Sequence, residues 1–176
     1  MSSQYGRSDV AAEYYSKHIF DGATFADLKR PGAPVVVINA TDLATGIRFS
    51  FTGPFFDLIC ADLNQFPLSR AVTASSAVPV LFTPITVKSY AGTCGFEAPA
   101  WLAEAEKDER GSTRQAEARS LMDYMDRKKR PWMHLVDGGI ADNLGLRSYY
   151  TLLSLEGDPR QAFRDLGHPD GRVRQP

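Results

Sequence analysis

The stretch HLVDGGIADNLG, residues 134–145, decides the fold and places the candidate site. Its first three residues are typical of a short buried strand, which ends at Asp137. Open α/β sheets bind their ligands at the carboxyl ends of strands, so the Asp137 carboxylate is expected to face a crevice there. Gly138 and Gly139 follow and allow a sharp backbone turn. By itself, the motif also fits a tight turn capped by an aspartate.

A second strand and a hairpin are predicted earlier in the chain. Residues 34–38, PVVVI, form a β-branched run between breakers, and its continuous apolarity predicts a strand covered on both faces, as in an α/β sheet. The turn formers of residues 39–46 come next. Apolar and polar residues then alternate over residues 47–51, which predicts the second strand of a hairpin.

Two helices are predicted from small-residue and capping patterns. Residues 67–77 are small enough for close packing, and a capping box of Ser112 and Gln115 stands at the start of a second helix. The basic run 127–130 is predicted to be the solvated end of the second helix, where cations suit the helix dipole. A nucleic-acid or lipid-headgroup patch is the alternative. The second helix has a narrow apolar stripe of Ala118, Leu121, Met122 and Met125.

Composition excludes several classes of protein. The 176 residues carry a formal net charge of −1, which argues against a mainly electrostatic nucleic-acid binder. The longest apolar stretches are far short of the roughly 20 residues of a spanning helix, and no signal-peptide core is visible. Cys60 and Cys94 lack metal-ligand spacing. Two reduced thiols are the favoured expectation, and a single disulfide in an exported protein is the alternative.

Three blocks of the sequence together resemble the C-terminal part of the patatin-like phospholipases. They are ATDLATG (40–46), FPLSRAVTASSAVPVLFTPI (66–85) and HLVDGGIADNLGLR (134–147), in the family's order. The resemblance covers roughly residues 5–155, and the segment YAGTCGF (90–96) resembles bacterial members. It implies a three-layer α/β/α sandwich, here as a partial patatin-like domain over residues 1–156. Residues 157–176 are predicted to be a flexible polar tail.

The resemblance implies a lipid acyl hydrolase, a phospholipase or esterase with a Ser–Asp dyad. Asp137 matches the dyad aspartate, which activates the serine as a base without a histidine. Gly138 and Gly139 are expected to shape the crevice, and Asn143 to stabilise its loop. No cofactor is expected. The implied partners are a lipid ester or phospholipid, with transient contact to a membrane surface, and no nucleic acid.

The chain departs from the family because it holds no G-x-S-x-G nucleophile motif and no glycine-rich oxyanion-hole motif. Ser112 follows Gly111, but Arg114 stands where the closing glycine belongs, and Ser75 and Ser76 lie in a predicted helix without flanking glycines. We therefore expect the C-terminal part of a longer enzyme, inactive in isolation. A non-catalytic pseudoenzyme or a module that binds lipid or a partner is the alternative.

Two other kinds of site compete with the dyad. Asp137, Asp142 and Asn143 could bind a hard cation through oxygen, although their spacing matches no established calcium loop. His134 could be a catalytic base. It precedes Asp137 by an odd number of strand positions, which puts the two side chains on opposite faces and favours a structural histidine. The two cysteines have no motif for a poised histidine and are not expected to be nucleophiles.

Overall fold

A computed structural model describes residues 5–30, 33–108 and 111–146. The strands are β1 (Asn39–Asp42), β2 (Arg48–Ser50), β3 (Ile85–Lys88) and β4 (Trp132–Val136). The helices are α1 (Arg7–Tyr15), α2 (Gly53–Leu58), α3 (Leu68–Ser75), α4 (Ala100–Ala105), α5 (Thr113–Met125) and the single turn α6 (Gly139–Asp142). A π-helical turn (Ser16–Phe20) and two 3₁₀ turns (Phe25–Leu28, Leu63–Gln65) complete them. The predicted tail 157–176 lies outside the described residues.

The four strands form one antiparallel sheet in the order β2-β1-β4-β3. Helix α3 packs on this sheet, against β1, β4 and β3, and α1 packs on α3. The protein is therefore a mixed α/β fold, as predicted. None of the described helices is long and apolar enough to cross a bilayer.

The predicted strand at 35–38 is wrong in its position. Residues 33–38 have no regular structure, and Val36 is 42% exposed. The strand lies four residues later, at β1, where Ala40 pairs with Phe49 of β2 and Thr41 pairs with Val136 of β4. Residues 39–42 form the strand because they pair with β2 on one edge and β4 on the other. This pairing outweighs the local strand preference of the β-branched run at 34–38. Residues 40–42 of β1 are all buried, whereas the expectation that the apolar run at 35–38 is covered on both faces is wrong.

The hairpin is confirmed, and its turn begins at Asp42. The backbone oxygen of Asp42 accepts hydrogen bonds from the amides of Thr45 (3.2 Å) and Gly46 (2.8 Å), and Gly46 has a φ of +70°. The alternating residues of the second strand bury Phe49 and Phe51. These rings join a core of aromatic side chains that also includes Phe25, Phe56, Phe66 and Tyr124.

Both predicted helices are confirmed as α3 and α5. The Ser112 hydroxyl caps α5 by accepting a hydrogen bond from the Gln115 amide at 3.1 Å. Ala118 and Leu121 of the apolar stripe are buried, and Met122 and Met125 pack against the core.

The basic run 127–130 lies beyond the end of α5 at Met125 and is not wholly solvated, so the prediction of a solvated helix end is wrong on both points. Arg130 is only 12% exposed and its guanidinium donates a hydrogen bond to the buried Asp42 carboxylate. The Tyr124 hydroxyl donates to the same carboxylate at 2.9 Å. Burial and the neighbouring Asp42 charge raise the pKa of Tyr124 above its ordinary value. The buried Asp42 carboxylate needs a cationic partner, and this explains why Arg130 is buried. The local sequence pattern does not show this contact.

Cys60 and Cys94 are joined in a disulfide, so the expectation of two reduced thiols is wrong. Cys60 follows α2, and the Tyr90 amide donates to the Ile59 carbonyl at 2.8 Å, which brings the two segments together. The two cysteine Cα atoms are 5.6 Å apart, within the range of a disulfide.

Reducing this disulfide is expected to lower the free energy of unfolding by about 4 kcal/mol, because it links residues 34 positions apart in the unfolded chain. Urea unfolding with and without a phosphine reductant measures the change. A double variant, Cys60→Ser with Cys94→Ser, serves as the control and should show the same loss with no response to reductant. An unchanged unfolding midpoint after verified reduction would contradict the prediction.

Candidate functional site

The candidate site is an open hollow of about 540 Å³ at one end of the sheet. Four segments meet there: the approach to β1, the end of α3, the residues after β4, and the turn that follows α6. The lining residues are Val37, Ile38, Asn39, Val72, Ser75, Ser76, Asp137, Gly138, Gly139, Asp142, Asn143, Leu144 and Gly145. The hollow therefore gathers all four predicted site residues, Asp137, Gly138, Gly139 and Asn143.

Asp137 is half-buried directly after β4, and its backbone is tied to α3. Its amide donates to the Ala77 carbonyl at 3.0 Å, and the Gly138 amide donates to the Ser75 carbonyl at 3.1 Å. One carboxylate oxygen, Oδ1, accepts a hydrogen bond from the Gly139 amide at 2.7 Å. The other oxygen, Oδ2, makes no hydrogen bond to the described residues. A fixed carboxylate with one unengaged oxygen can accept a proton from a group placed in the hollow.

Thr41 of β1 binds both ends of the segment from Asp137 to Ala141, here called the Asp137 loop. Its hydroxyl donates to the Asp137 carbonyl at 2.7 Å and accepts from the Ala141 amide at 3.1 Å. Because Thr41 is 2% exposed, this hydroxyl is a buried link between the sheet and both ends of the Asp137 loop. Sequence reasoning missed it, since a threonine in a turn-forming segment carries no signal of a long-range contact.

Gly138 and Gly139 are needed because a side chain at either position would collide with neighbouring atoms, and not because the backbone turns through a positive φ there. Gly138 has an ordinary right-handed conformation, with φ of −65°. A Cβ on Gly138 would lie 2.4 Å from the Asn39 carbonyl oxygen, which is a backbone atom and cannot give way easily. A Cβ on Gly139 would lie 2.9 Å from Asn143 Oδ1 and 3.0 Å from Asp137 Oδ1. These contacts leave no room for a side chain at either position, while the role of the two glycines in shaping a substrate crevice stays a prediction.

Asp142 lies in the same hollow but faces a cation. Its Oδ2 is 3.9 Å from the guanidinium of Arg48, a β2 residue that also approaches Glu117 at 3.5 Å. Among the described residues, no group of three or more histidine, cysteine, aspartate or glutamate side chains could hold a metal ion. Asn143 is exposed beside Gly139, and its role in stabilising the loop stays a prediction.

His134 and the serines considered as nucleophiles have other surroundings. His134 is exposed on β4, and its Nδ1 lies 3.1 Å from the Thr86 hydroxyl. Ser75 and Ser76 line the hollow at the end of α3, which their helical pattern alone did not indicate. The Ser76 hydroxyl donates to the Val72 carbonyl at 3.0 Å. Ser112 is a helix cap on α5.

A protein-family model described as patatin-like phospholipase matches residues 5–149. The chain belongs to the patatin-like phospholipase family. Comparison with curated proteins and with solved structures found no match. The family is one of lipid acyl hydrolases. In this patatin-like chain the three sequence blocks meet around the backbone of Asp137: the first supplies Thr41, the second Ser75 and Ala77, and the third Asp137 itself.

Proposed function

We propose that this chain supplies the aspartate of a Ser–Asp dyad in a patatin-like lipid acyl hydrolase, with Asp137 as the general base. The observation that carries the proposal is the geometry of the Asp137 carboxylate. Oδ1 is held by the Gly139 amide at 2.7 Å, and the carboxylate borders an open hollow at the end of β4. Oδ2 is thereby left as the proton acceptor.

In the proposed reaction, a serine hydroxyl transfers its proton to Asp137 Oδ2 as its oxygen attacks the ester carbonyl carbon. Collapse of the tetrahedral intermediate breaks the ester bond, and the leaving alcohol takes the proton from Asp137. A water molecule then loses a proton to Asp137 and attacks the acyl-serine. The bond between the acyl carbon and the serine oxygen then breaks as that oxygen takes the proton from Asp137, which releases free fatty acid and restores the serine and the Asp137 carboxylate. This chemistry requires no cofactor.

The nucleophile and the oxyanion donors are proposed to come from outside this sequence, which contains no G-x-S-x-G. The antiparallel sheet described above would then be one part of a three-layer α/β/α sandwich. Gly138 and Gly139 would bring the Asp137 loop against the sheet, and Asn143 would hold its far side. The Cys60–Cys94 disulfide favours an oxidising compartment for the whole protein.

The test is to compare fatty-acid release from phosphatidylcholine by the native protein, isolated from its source, and by the 176-residue chain expressed alone. We expect hydrolysis by the native protein and none by the chain, because a hydrolase without its nucleophile loses several orders of magnitude in rate. Hydrolysis by the chain alone would contradict the proposal, and Ser75→Ala and Ser76→Ala variants would then show whether either serine acts.

The absence of a G-x-S-x-G motif from the sequence also favours a second candidate, a non-catalytic module that binds lipid or a partner. A native protein that binds lipid without releasing fatty acid would establish this alternative and exclude the enzyme.

A further inference from the structure

An exposed apolar segment lies between α3 and β3. Residues 78–82, VPVLF, are here called the apolar loop. Val80 is 99% exposed, Leu81 58% and Val78 43%. Residues 71–87 contain no charged side chain. Large apolar side chains on a protein surface are normally scattered singly, so a cluster of this kind marks a surface that contacts another apolar body.

The apolar loop is held in its projecting conformation by hydrogen bonds at its base. The amides of Leu81 and Phe82 both donate to the Val78 carbonyl, at 3.2 and 3.0 Å. The Arg7 guanidinium donates to the Leu81 carbonyl at 3.2 Å. Val80 has a φ of +76°, in the left-handed region that β-branched residues avoid. The fold therefore accepts backbone strain at a residue whose side chain is almost fully in solvent.

The apolar loop adjoins the Asp137 hollow. It begins one residue after Ala77, whose carbonyl accepts the Asp137 amide. It leads into β3, whose first residue, Ile85, pairs with Leu135 near the end of β4. The apolar loop thus starts two residues after Ser76, which lines the hollow, although none of the loop's own residues lines it. After Asp137, three further large apolar side chains are exposed, Ile140 (58%), Leu144 (76%) and Leu146 (62%).

We propose that the apolar loop inserts into a lipid surface and seats the Asp137 hollow on it, so that a lipid ester can enter from the bilayer. This inference rests on the proposed function, since it names the surface from which the substrate comes. The flanking Arg7 fits the boundary of a bilayer, because it is exposed and its guanidinium donates to the Leu81 carbonyl. A guanidinium suits the headgroup region, and the uncharged loop suits the acyl region.

The test measures how the native protein partitions onto vesicles of phosphatidylcholine with a minor share of phosphatidylglycerol, by flotation. Val80→Asp and Leu81→Asp are each expected to weaken partitioning by at least about tenfold, because each removes an apolar side chain from the acyl region and adds a charge. Leu43→Asp is the matched control. Leu43 is 55% exposed but lies in the β1–β2 turn, at the opposite end of the sheet from Asp137, and should bind as the wild type does.

A second variant separates lipid contact from a structural role. Val80→Gly permits the positive φ and removes the exposed side chain. We expect a melting temperature equal to or higher than that of the wild type, together with partitioning weakened about fivefold. A structural role alone would not weaken vesicle binding while stability is kept.

Three results would overturn the inference. The wild type could fail to bind vesicles, Leu43→Asp could bind as weakly as Val80→Asp, or the loop variants could dissociate a protein complex without changing vesicle binding. Asp137→Asn should bind vesicles as the wild type does, because Asp137 lies in the hollow and not in the apolar loop. If hydrolysis depends on Asp137 while binding is independent of the loop, the proposed function stands and this inference fails. If vesicle binding depends on the apolar loop but hydrolysis does not depend on Asp137, the lipid contact stands and the proposed function fails.

Discussion

Replacing Asp137 with asparagine in the native protein is expected to lower kcat for lipid ester hydrolysis by about 10³-fold or more. The asparagine Oδ1 can still accept the Gly139 amide, which Asp137 binds at 2.7 Å, so the loop should keep its shape. The amide group has no oxygen basic enough to take the serine proton. KM should stay close to that of the wild type, because substrate contacts are unchanged. Steady-state kinetics with a phospholipid and a short-chain ester measure both constants.

Asp142→Asn is the matched control, since it is the same substitution in the same hollow. The Asp142 carboxylate lies 3.9 Å from the Arg48 guanidinium, so a structural effect is expected there, with a fall in kcat of no more than about tenfold. Near-wild-type hydrolysis by Asp137→Asn, or equal losses in the two variants, would contradict the role given to Asp137.

Arg130→Ala is expected to lower the free energy of unfolding by about 3–5 kcal/mol. The Asp42 carboxylate is fully buried, and Arg130 is the cation that donates to it. The Arg130 guanidinium also lies over the Tyr124 ring, 5.3 Å from its centre. Truncation would leave an uncompensated charge in the core, which among the described residues would keep hydrogen bonds from the Tyr124 hydroxyl and the Ala44 amide alone. Urea unfolding followed by circular dichroism gives the change.

Arg127→Ala is the control, because Arg127 is exposed in the same basic run and should change the free energy of unfolding by less than about 0.5 kcal/mol. Adding Asp42→Asn to Arg130→Ala removes the buried charge and is expected to restore part of the lost stability. A loss of under about 1 kcal/mol for Arg130→Ala would show that the ion pair does not stabilise the core.

The parts of the fold that local patterns determine could be predicted from the sequence. Helix α5 begins at the Ser112 cap and buries Ala118 and Leu121, as the capping pattern and stripe indicate. The hairpin follows from the alternation that buries Phe49 and Phe51. The turn that follows β4 was also visible, because a glycine pair after an apolar run indicates the end of a strand, whereas the role of Asp137 there stays a prediction.

The parts that long-range contacts determine could not be predicted. Strand β1 takes its position from pairing with residues as distant as Val136. The Thr41 hydroxyl reaches the Asp137 loop 96 positions away, and Arg130 reaches Asp42 across 88. The disulfide depends on α2 and the segment before Cys94 meeting in space. No local pattern encodes any of these contacts.

The most direct test of the central claim is the rate at which a fluorophosphonate probe labels the native protein, compared among wild type, Asp137→Asn and Asp142→Asn. The probe reacts with a serine that a base has activated, so it reports on the dyad itself and not on substrate binding. We predict that the wild type and Asp142→Asn are labelled at similar rates and that Asp137→Asn is not labelled. Labelling of Asp137→Asn at the wild-type rate would show that another group activates the serine.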